Sequence, residues 1–347
     1  MLLPYLHRVA SREDLTASDA RAAMLGILSG EATVPQVAAF LVALRMKGET
    51  AAELTGFARA MREKSHRVDV ALAGEPLLDT CGTGGDGAST FNISTIAAFV
   101  TAGAGVRVAK HGNRSISSLC GSADLLEALG VHILPDPQHV AEAIRTVGIG
   151  FLFAPAHHPA MKHAQPARLE LKMRTVFNLL GPLTNPAGAQ RQLIGAPSEH
   201  AAELMASALA ELGTERTFVV HGAGGLDEIS TMGSTVAFEV AAGVVTRRVW
   251  EPEDFGVARA VIDAVRGGDV ARNVEIAHAV LDGARGPHRD IVLANAAAAL
   301  VAAGRAETLL EGVALAAESI DAGAAREKLQ ALVEFTRLRV IPAEPRR

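Results

Sequence analysis

Apolar positions in the first 65 residues recur at helical spacing. Val37, Phe40, Leu41 and Leu44 fall at i, i+3, i+4 and i+7, one stripe of a helix. The boundaries carry capping chemistry. Thr16 with Asp19 opens a helix that ends near Ser29-Gly30, Thr33 opens a second with Pro35 in its first turn, and Gly48 stops it. Thr50 with Glu53 opens a third, running to about Lys64. From about Glu75 the pattern changes to short β-like runs at Leu77–Leu78, Val106–Ala109, Val131–Leu134, Phe151–Phe153 and Thr217–Val220, with helical patterns between them. This predicts an α/β protein: a small N-terminal all-helical domain over residues 1–70, and a larger domain with a mostly parallel sheet over 75–340. In such sheets ligands bind beyond the carboxyl ends of the strands.

The chain has 347 residues, 49% of them hydrophobic and 20% charged, so it can bury a core and is not a disordered chain. Aromatics are 4% and the net charge is −5, which gives no support to a nucleic-acid or anionic-membrane surface. Two cysteines, Cys81 and Cys120, make no disulfide framework, and a reducing, cytoplasmic setting is expected. The opening segment lacks a basic stretch followed by a long apolar one, so no signal peptide is expected. The apolar run 291–304 contains Asn295 and falls short of the ~18 residues a membrane span needs. It reads as a buried helix.

Four loops carry candidate chemistry. In Asp79-Thr-Cys-Gly-Thr-Gly-Gly-Asp-Gly-Ala-Ser-Thr-Phe-Asn-Ile-Ser-Thr95, the glycines match G-x-G-x-x-G, but no acidic residue follows between Gly87 and Ala123, so the dinucleotide reading fails. What remains is glycine backbone that can approach an anion, with Thr90, Asn92, Ser94 and Thr95 at the mouth of a helix from Ile96 to Ala102. In Lys110-His-Gly-Asn-Arg-Ser-Ile-Ser-Ser118, two cations and several hydroxyls suit a multiply phosphorylated ligand. Asp227-Glu228 lies just past an apolar strand, where two hard carboxylates beside a phosphate loop suggest Mg²⁺. His157, His158 and His163 fit no compact zinc spacing and read as structural or wall residues. Arg168 can pair with a carboxylate, and the loop 178–186 is rigid with Gly and Pro. Neither cysteine has the signature of a catalytic thiol.

Asp79-Thr-Cys-Gly-Thr-Gly-Gly-Asp86, Lys110-His-Gly-Asn-Arg114, Gly121-Ser-Ala-Asp124, Asn178-Leu-Leu-Gly-Pro-Leu-Thr-Asn-Pro186 and Gly225-Leu-Asp-Glu228 occur in this order. Together with Ser29-Gly-Glu-Ala-Thr33, Arg45-Met-Lys-Gly-Glu-Thr50 and Asn295-Ala-Ala-Ala-Ala-Leu300 they resemble the anthranilate phosphoribosyltransferases over nearly the whole chain. The resemblance implies the second step of tryptophan biosynthesis, in which 5-phosphoribosyl 1-diphosphate and anthranilate give N-(5-phosphoribosyl)anthranilate and diphosphate. It implies a nucleoside-phosphorylase-like fold, a homodimer joined through the helical domain, and a later segment, about 168–186, packing back onto that domain.

By motif position, the resemblance assigns Gly82, Gly85, Asp86, Thr90, Asn92, Ile93, Ser94 and Thr95 to the sugar diphosphate. It adds Lys110, His111, Gly112, Asn113, Arg114, Ser115, Ile116, Ser117, Ser118 and Ser122. Anthranilate is assigned to Gly82, Asn113, His158 and Arg168, and two Mg²⁺ to Ser94, Asp227 and Glu228. Lys110, Arg168, Asp227 and Glu228 would carry the catalytic step. Leu119 and Cys120 stand where members often have Lys and Ser, which removes a charge at the loop edge. Two alternatives share the architecture: a pyrimidine nucleoside phosphorylase, and a non-catalytic nucleic-acid-binding relative. Arg168 and Asp227-Glu228 argue against the first, and the net charge of −5 against the second.

Overall fold

The structure, a computed structural model, describes residues 2–72, 74–84, 87, 89–115 and 119–339. Four helices open the chain: α1 (Leu3–Ala10), α2 (Ala17–Leu28), α3 (Val34–Lys47) and α4 (Ala51–Glu63). Thr16 caps α2 by accepting the Asp19 N–H at 3.1 Å, and Thr50 and Glu53 form the reciprocal cap of α4. The stripe expected of α3 is its buried face: Val37, Phe40, Leu41 and Leu44 are all in the core.

The remainder winds through β1 (Leu77–Gly82), α5 (Ile93–Gly103), β2 (Arg107–Gly112), α6 (Ser122–Ala128), α7 (Pro137–Thr146), β3 (Ile149–Phe153), α8 (Ala154–His157), α9 (Gln165–Leu171), α10 (Phe177–Leu180) and β4 (Arg191–Gly195). It ends with α11 (Glu199–Leu212), β5 (Arg216–Gly222), β6 (Thr235–Ala241), β7 (Val244–Trp250), α12 (Val270–Leu281), α13 (Pro287–Ala302), α14 (Leu309–Asp321) and α15 (Ala324–Arg337). The strands form one seven-stranded sheet in the order β3-β2-β1-β4-β5-β6-β7, parallel from β3 to β5 and antiparallel beyond.

Strand order reverses direction between β1 and β4, which pair in register with Gly82 opposite Gly195. That junction is where a parallel sheet opens a crevice at its carboxyl edge. One sheet face is covered by α5 and α13 in the largest core, with α12, α14 and α15 outside them. The other face packs on α11, and this second core runs on into the N-terminal helices and the α9–α10 segment. Leu180 and Leu183 of that later segment are buried against the helical lobe.

Two sequence expectations are corrected. Residues 131–134 are not a strand; Val131 and Leu134 are buried in the connection between α6 and α7. An apolar run reports burial, and this one has no neighbour with which to form a ladder. Helix α5 begins at Ile93, so Ser94 and Thr95 lie in its first turn and not before it.

Candidate active site

Every candidate loop leaves the carboxyl edge of the sheet. The glycine loop follows β1, the Lys110 loop is the end of β2, His158 comes one helical turn after β3, and Asp227-Glu228 follows β5. The acidic turn lies directly over the junction of β1 and β4. A Cβ on Gly195 would stand 1.5 Å from the Asp227 carbonyl oxygen, and one on Gly222 would stand 2.4 Å from that of Glu228. Only glycine leaves room for the turn at these two strand ends. Gly82 lies under the Asp227 carboxylate in the same way, its own Cβ direction meeting Oδ2 at 2.8 Å.

The turn then reaches the two other loops. Asp227 Oδ2 accepts the Gly84 N–H at 2.8 Å, and Glu228 Oε1 accepts the Ser94 N–H at 3.1 Å in the first turn of α5. Lys110 is buried beside them, donating from Nζ to the Thr80 carbonyl at 2.6 Å and to Ser94 Oγ at 3.4 Å. Burial pulls its ammonium pKa down, against the opposing pull of Asp79, Cys81 and Glu228. A lysine, a helix N-terminus, two carboxylates and a serine hydroxyl therefore meet within one crevice. The carboxylates and hydroxyl are hard oxygen donors, the set Mg²⁺ takes alongside substrate phosphate.

Two histidines meet where β2 ends and α8 follows β3. His111 and His158 have ring centroids 5.3 Å apart, and both are buried with Nε2 lacking a hydrogen-bond partner among the described residues. Desolvation lowers both pKa values, His158 to about 4 and His111 well below the usual imidazole value, so both rings are neutral at pH 7. Arg168 sits on α9, half-buried, with its guanidinium 5.2 Å from the Phe177 ring centroid. It makes no side-chain hydrogen bond or ion pair among the described residues, and burial lowers its pKa.

Other assigned residues are tied differently. Arg114 pairs with Asp124 at 3.1 Å and with Glu127, and lies over the Phe153 ring. Asn113 and Ser122 hold each other, Ser122 Oγ donating to the Asn113 carbonyl at 3.1 Å, while Ser115 N–H binds Asp124. Gly112 packs against Ser122 Oγ with no room for a side chain. Thr90 bridges to Arg266, and Ile93 and Thr95 are buried in α5. Gly85, Asp86, Ile116, Ser117 and Ser118 lie outside the described residues.

Sequence reasoning assigned no role to five side chains that hold these loops. Asp79 accepts the His111 N–H at 3.0 Å and an Asn185 amide hydrogen at 2.8 Å; Asn185 also reaches the Ala109 carbonyl. Asn273 of α12 accepts both the backbone N–H and an amide hydrogen of Asn92, at 3.0 and 3.1 Å. Asn92 in turn reaches the Cys120 carbonyl at 3.3 Å, joining the first loop to the second. Arg174 donates to the Gly84 carbonyl at 2.8 Å, and Asn295 of α13 holds Ile229. Asp79, Asn185 and Asn295 stood inside quoted motifs, where a polar residue among apolar ones was the available signal.

Family profiles divide the chain at the same place. The glycosyl transferase family helical bundle domain matches residues 3–65, and the glycosyl transferase family a/b domain matches 74–326. The anthranilate phosphoribosyltransferase of Solibacter usitatus (strain Ellin6076) is 67% identical, across 96% of this chain and 98% of its own. The chain belongs to the anthranilate phosphoribosyltransferase family. Two solved members of this phosphoribosyltransferase family share its whole architecture. The Thermus thermophilus structure superposes with a TM-score of 0.90 at 45% identity, over 96% of this chain and 99% of that one. The Saccharomyces cerevisiae structure in complex with PRPP and Mg superposes with a TM-score of 0.89 at 31% identity, over 97% and 98%. Membership in the anthranilate phosphoribosyltransferases leaves the phosphorylase and nucleic-acid alternatives without support.

Proposed function

We infer that this chain transfers the phosphoribosyl group of 5-phosphoribosyl 1-diphosphate to the amine of anthranilate, releasing diphosphate, in the crevice over the β1–β4 junction. The observation that carries this reading is the meeting of Asp227, Glu228, Lys110 and the first turn of α5 at that point. It makes the chain a pentosyltransferase of tryptophan biosynthesis.

The sugar diphosphate is assigned to the glycine loop, the first turn of α5 and the Lys110–Ser122 loop. Backbone N–H groups at a helix N-terminus favour phosphate, and the Lys110 ammonium adds charge that offsets what develops on the leaving diphosphate. Ser94, Asp227 and Glu228 would hold Mg²⁺, two ions per subunit in this reading; when bound, the metal neutralises diphosphate as the glycosidic bond breaks. Arg168 is assigned to the anthranilate carboxylate, which would supply the anion its guanidinium lacks among the described residues. Gly82, Asn113 and His158 complete that subsite. The amine nitrogen attacks C1 of the ribose, the C1–O bond to diphosphate breaks, and the nitrogen loses a proton. Positive charge develops on that nitrogen during attack, and His111 and His158, neutral at pH 7 and assigned to the two substrates, would add no imidazolium repulsion to it.

The reading includes a homodimer through the helical lobe and a cytoplasmic setting. Cys81 and Cys120 are thiols, and among the described residues no helix is long and apolar enough to cross a membrane. The test is anthranilate fluorescence. Its loss is expected only when protein, phosphoribosyl diphosphate and Mg²⁺ are all present, and EDTA is expected to prevent it. Steady fluorescence with folded protein would overturn the reading.

A further inference from the structure

The helix α13 is a run of buried alanines broken by one amide, Asn295. Asparagine is a poor helix former, and an amide transferred into such surroundings is costly unless hydrogen-bonded. Asn295 is wholly buried, and it reaches out of its own helix for partners. Oδ1 accepts the Ile229 N–H at 2.9 Å, and Nδ2 donates to the Ile229 carbonyl at 3.0 Å and, within α13, to the Ile291 carbonyl at 2.9 Å. Both polar groups of one peptide residue, 66 positions away in the chain, are thus gripped by a single side chain.

Ile229 directly follows Asp227-Glu228. The glycine floor bounds the turn on one side, with Gly195 under Asp227 and Gly222 under Glu228. The Asn295 grip fixes the chain where the turn ends. A floor excludes positions but does not select one; two opposed hydrogen bonds to Ile229 set the direction in which the turn departs. We propose that Asn295 is a positioning residue for the metal site, aiming the Asp227 and Glu228 carboxylates through the Ile229 backbone. The inference rests on the assignment of those carboxylates to Mg²⁺. Side chains that orient ligands without touching the metal commonly change its affinity by about 10–100-fold when removed.

The test compares Asn295→Leu, which removes all three bonds, and Asn295→Asp, which keeps the shape and an acceptor but not the amide donors. The paired variant Asp227→Asn with Glu228→Gln is the reference. Mn²⁺ binding is measured by electron paramagnetic resonance with phosphoribosyl diphosphate present and anthranilate absent, so no turnover is needed. Circular dichroism checks that each variant is folded. We expect Mn²⁺ affinity to fall about tenfold or more in both variants, since the aspartate sets an oxygen against the Ile229 and Ile291 carbonyls, with the anthranilate KM unchanged. Should Asn295→Leu fail to fold, Asn295→Asp decides the matter. Wild-type Mn²⁺ affinity in a folded Asn295 variant, with binding lost in the paired variant, overturns this inference alone. Retained binding in the paired variant overturns the metal assignment, and the Asn295 role with it.

Discussion

A half-buried guanidinium is costly to keep without an anion, and Arg168 is in that state: it has Phe177 beneath it and no ion pair among the described residues. Its pKa is lowered by burial alone, with no carboxylate pulling the other way. Arg114 is the contrast, with Glu127 and Asp124 raising its pKa and already holding its charge. Of the two, Arg168 is the one equipped to take a ligand carboxylate. Arg168→Ala removes a charge-assisted contact worth about 1.5–3 kcal/mol, so the anthranilate KM should rise about 10- to 150-fold. The KM for phosphoribosyl diphosphate should change little. Steady-state kinetics with each substrate varied in turn decides it, and equal rises in both constants would remove the carboxylate role. Asn273→Ala should act oppositely. It strips Asn92 of the acceptor that holds its backbone and amide, so the sugar-diphosphate KM should rise while that for anthranilate holds. Initial-rate measurements that show the reverse order would place Asn273 outside the loop's support.

The elements that carry the site were legible in part. β1, β2, β3 and β5 announce themselves as short apolar runs before polar, glycine-bearing loops, and the capped helices α2, α3 and α4 follow from local hydrogen bonding alone. β4, β6 and β7 did not stand out. β4 is five residues long and buries a glutamine, Gln192, whose amide is satisfied by the Pro182 carbonyl, and β7 is an exposed edge carrying two arginines. The loops that the structure brings together were legible because glycine, lysine and adjacent carboxylates are unusual side by side. The residues holding the loops were not, because their partners are remote: Asn273 lies 181 positions from Asn92, and Arg174 lies 90 from Gly84. Gly195 belongs to this scale, since its meaning comes only from the turn above it. In Gly195→Ala, a methyl 1.5 Å from the Asp227 carbonyl oxygen must displace the acidic turn. Misplacement by about 1 Å at a reacting centre costs about 100-fold, so kcat should fall by at least that, with overpacking costing about 1–3 kcal/mol of stability. Wild-type kcat in Gly195→Ala would mean that the turn is not a catalytic element.

At the scale of the molecule, the two lobes meet around a set of histidines. The His66 N–H, just beyond α4, binds the His157 carbonyl at 2.8 Å; His157 is followed by His158, whose ring lies 5.3 Å from that of His111, and all three are buried. His157 is fully buried and neither of its ring nitrogens has a hydrogen-bond partner among the described residues. Burial lowers all three pKa values, His158 to about 4 from the ordinary 6.5. In the unfolded chain these rings take up protons near pH 6.5, whereas in the folded chain they stay neutral below it. The unfolded state therefore binds more protons across this window, and stability falls as the pH drops from about 6.5 toward 4. A shift from 6.5 to about 4 is worth about 3 kcal/mol for His158 alone, and His111 and His157 act in the same direction. Asp79 opposes them: burial raises its pKa, so its protonation stabilises the folded chain as the pH falls through that raised value. Glu49 and Asp290, also raised by burial, act with Asp79, and His288 acts with the other imidazoles; the large downward shifts of His111 and His158 leave the histidines in control. Urea unfolding between pH 4.5 and 7.5 should show the loss, and His157→Leu, which removes one ring without a partner, should flatten it by relieving part of the low-pH penalty. Unfolding free energies that stay level across this range would mean that the seam opens to water before the rings titrate.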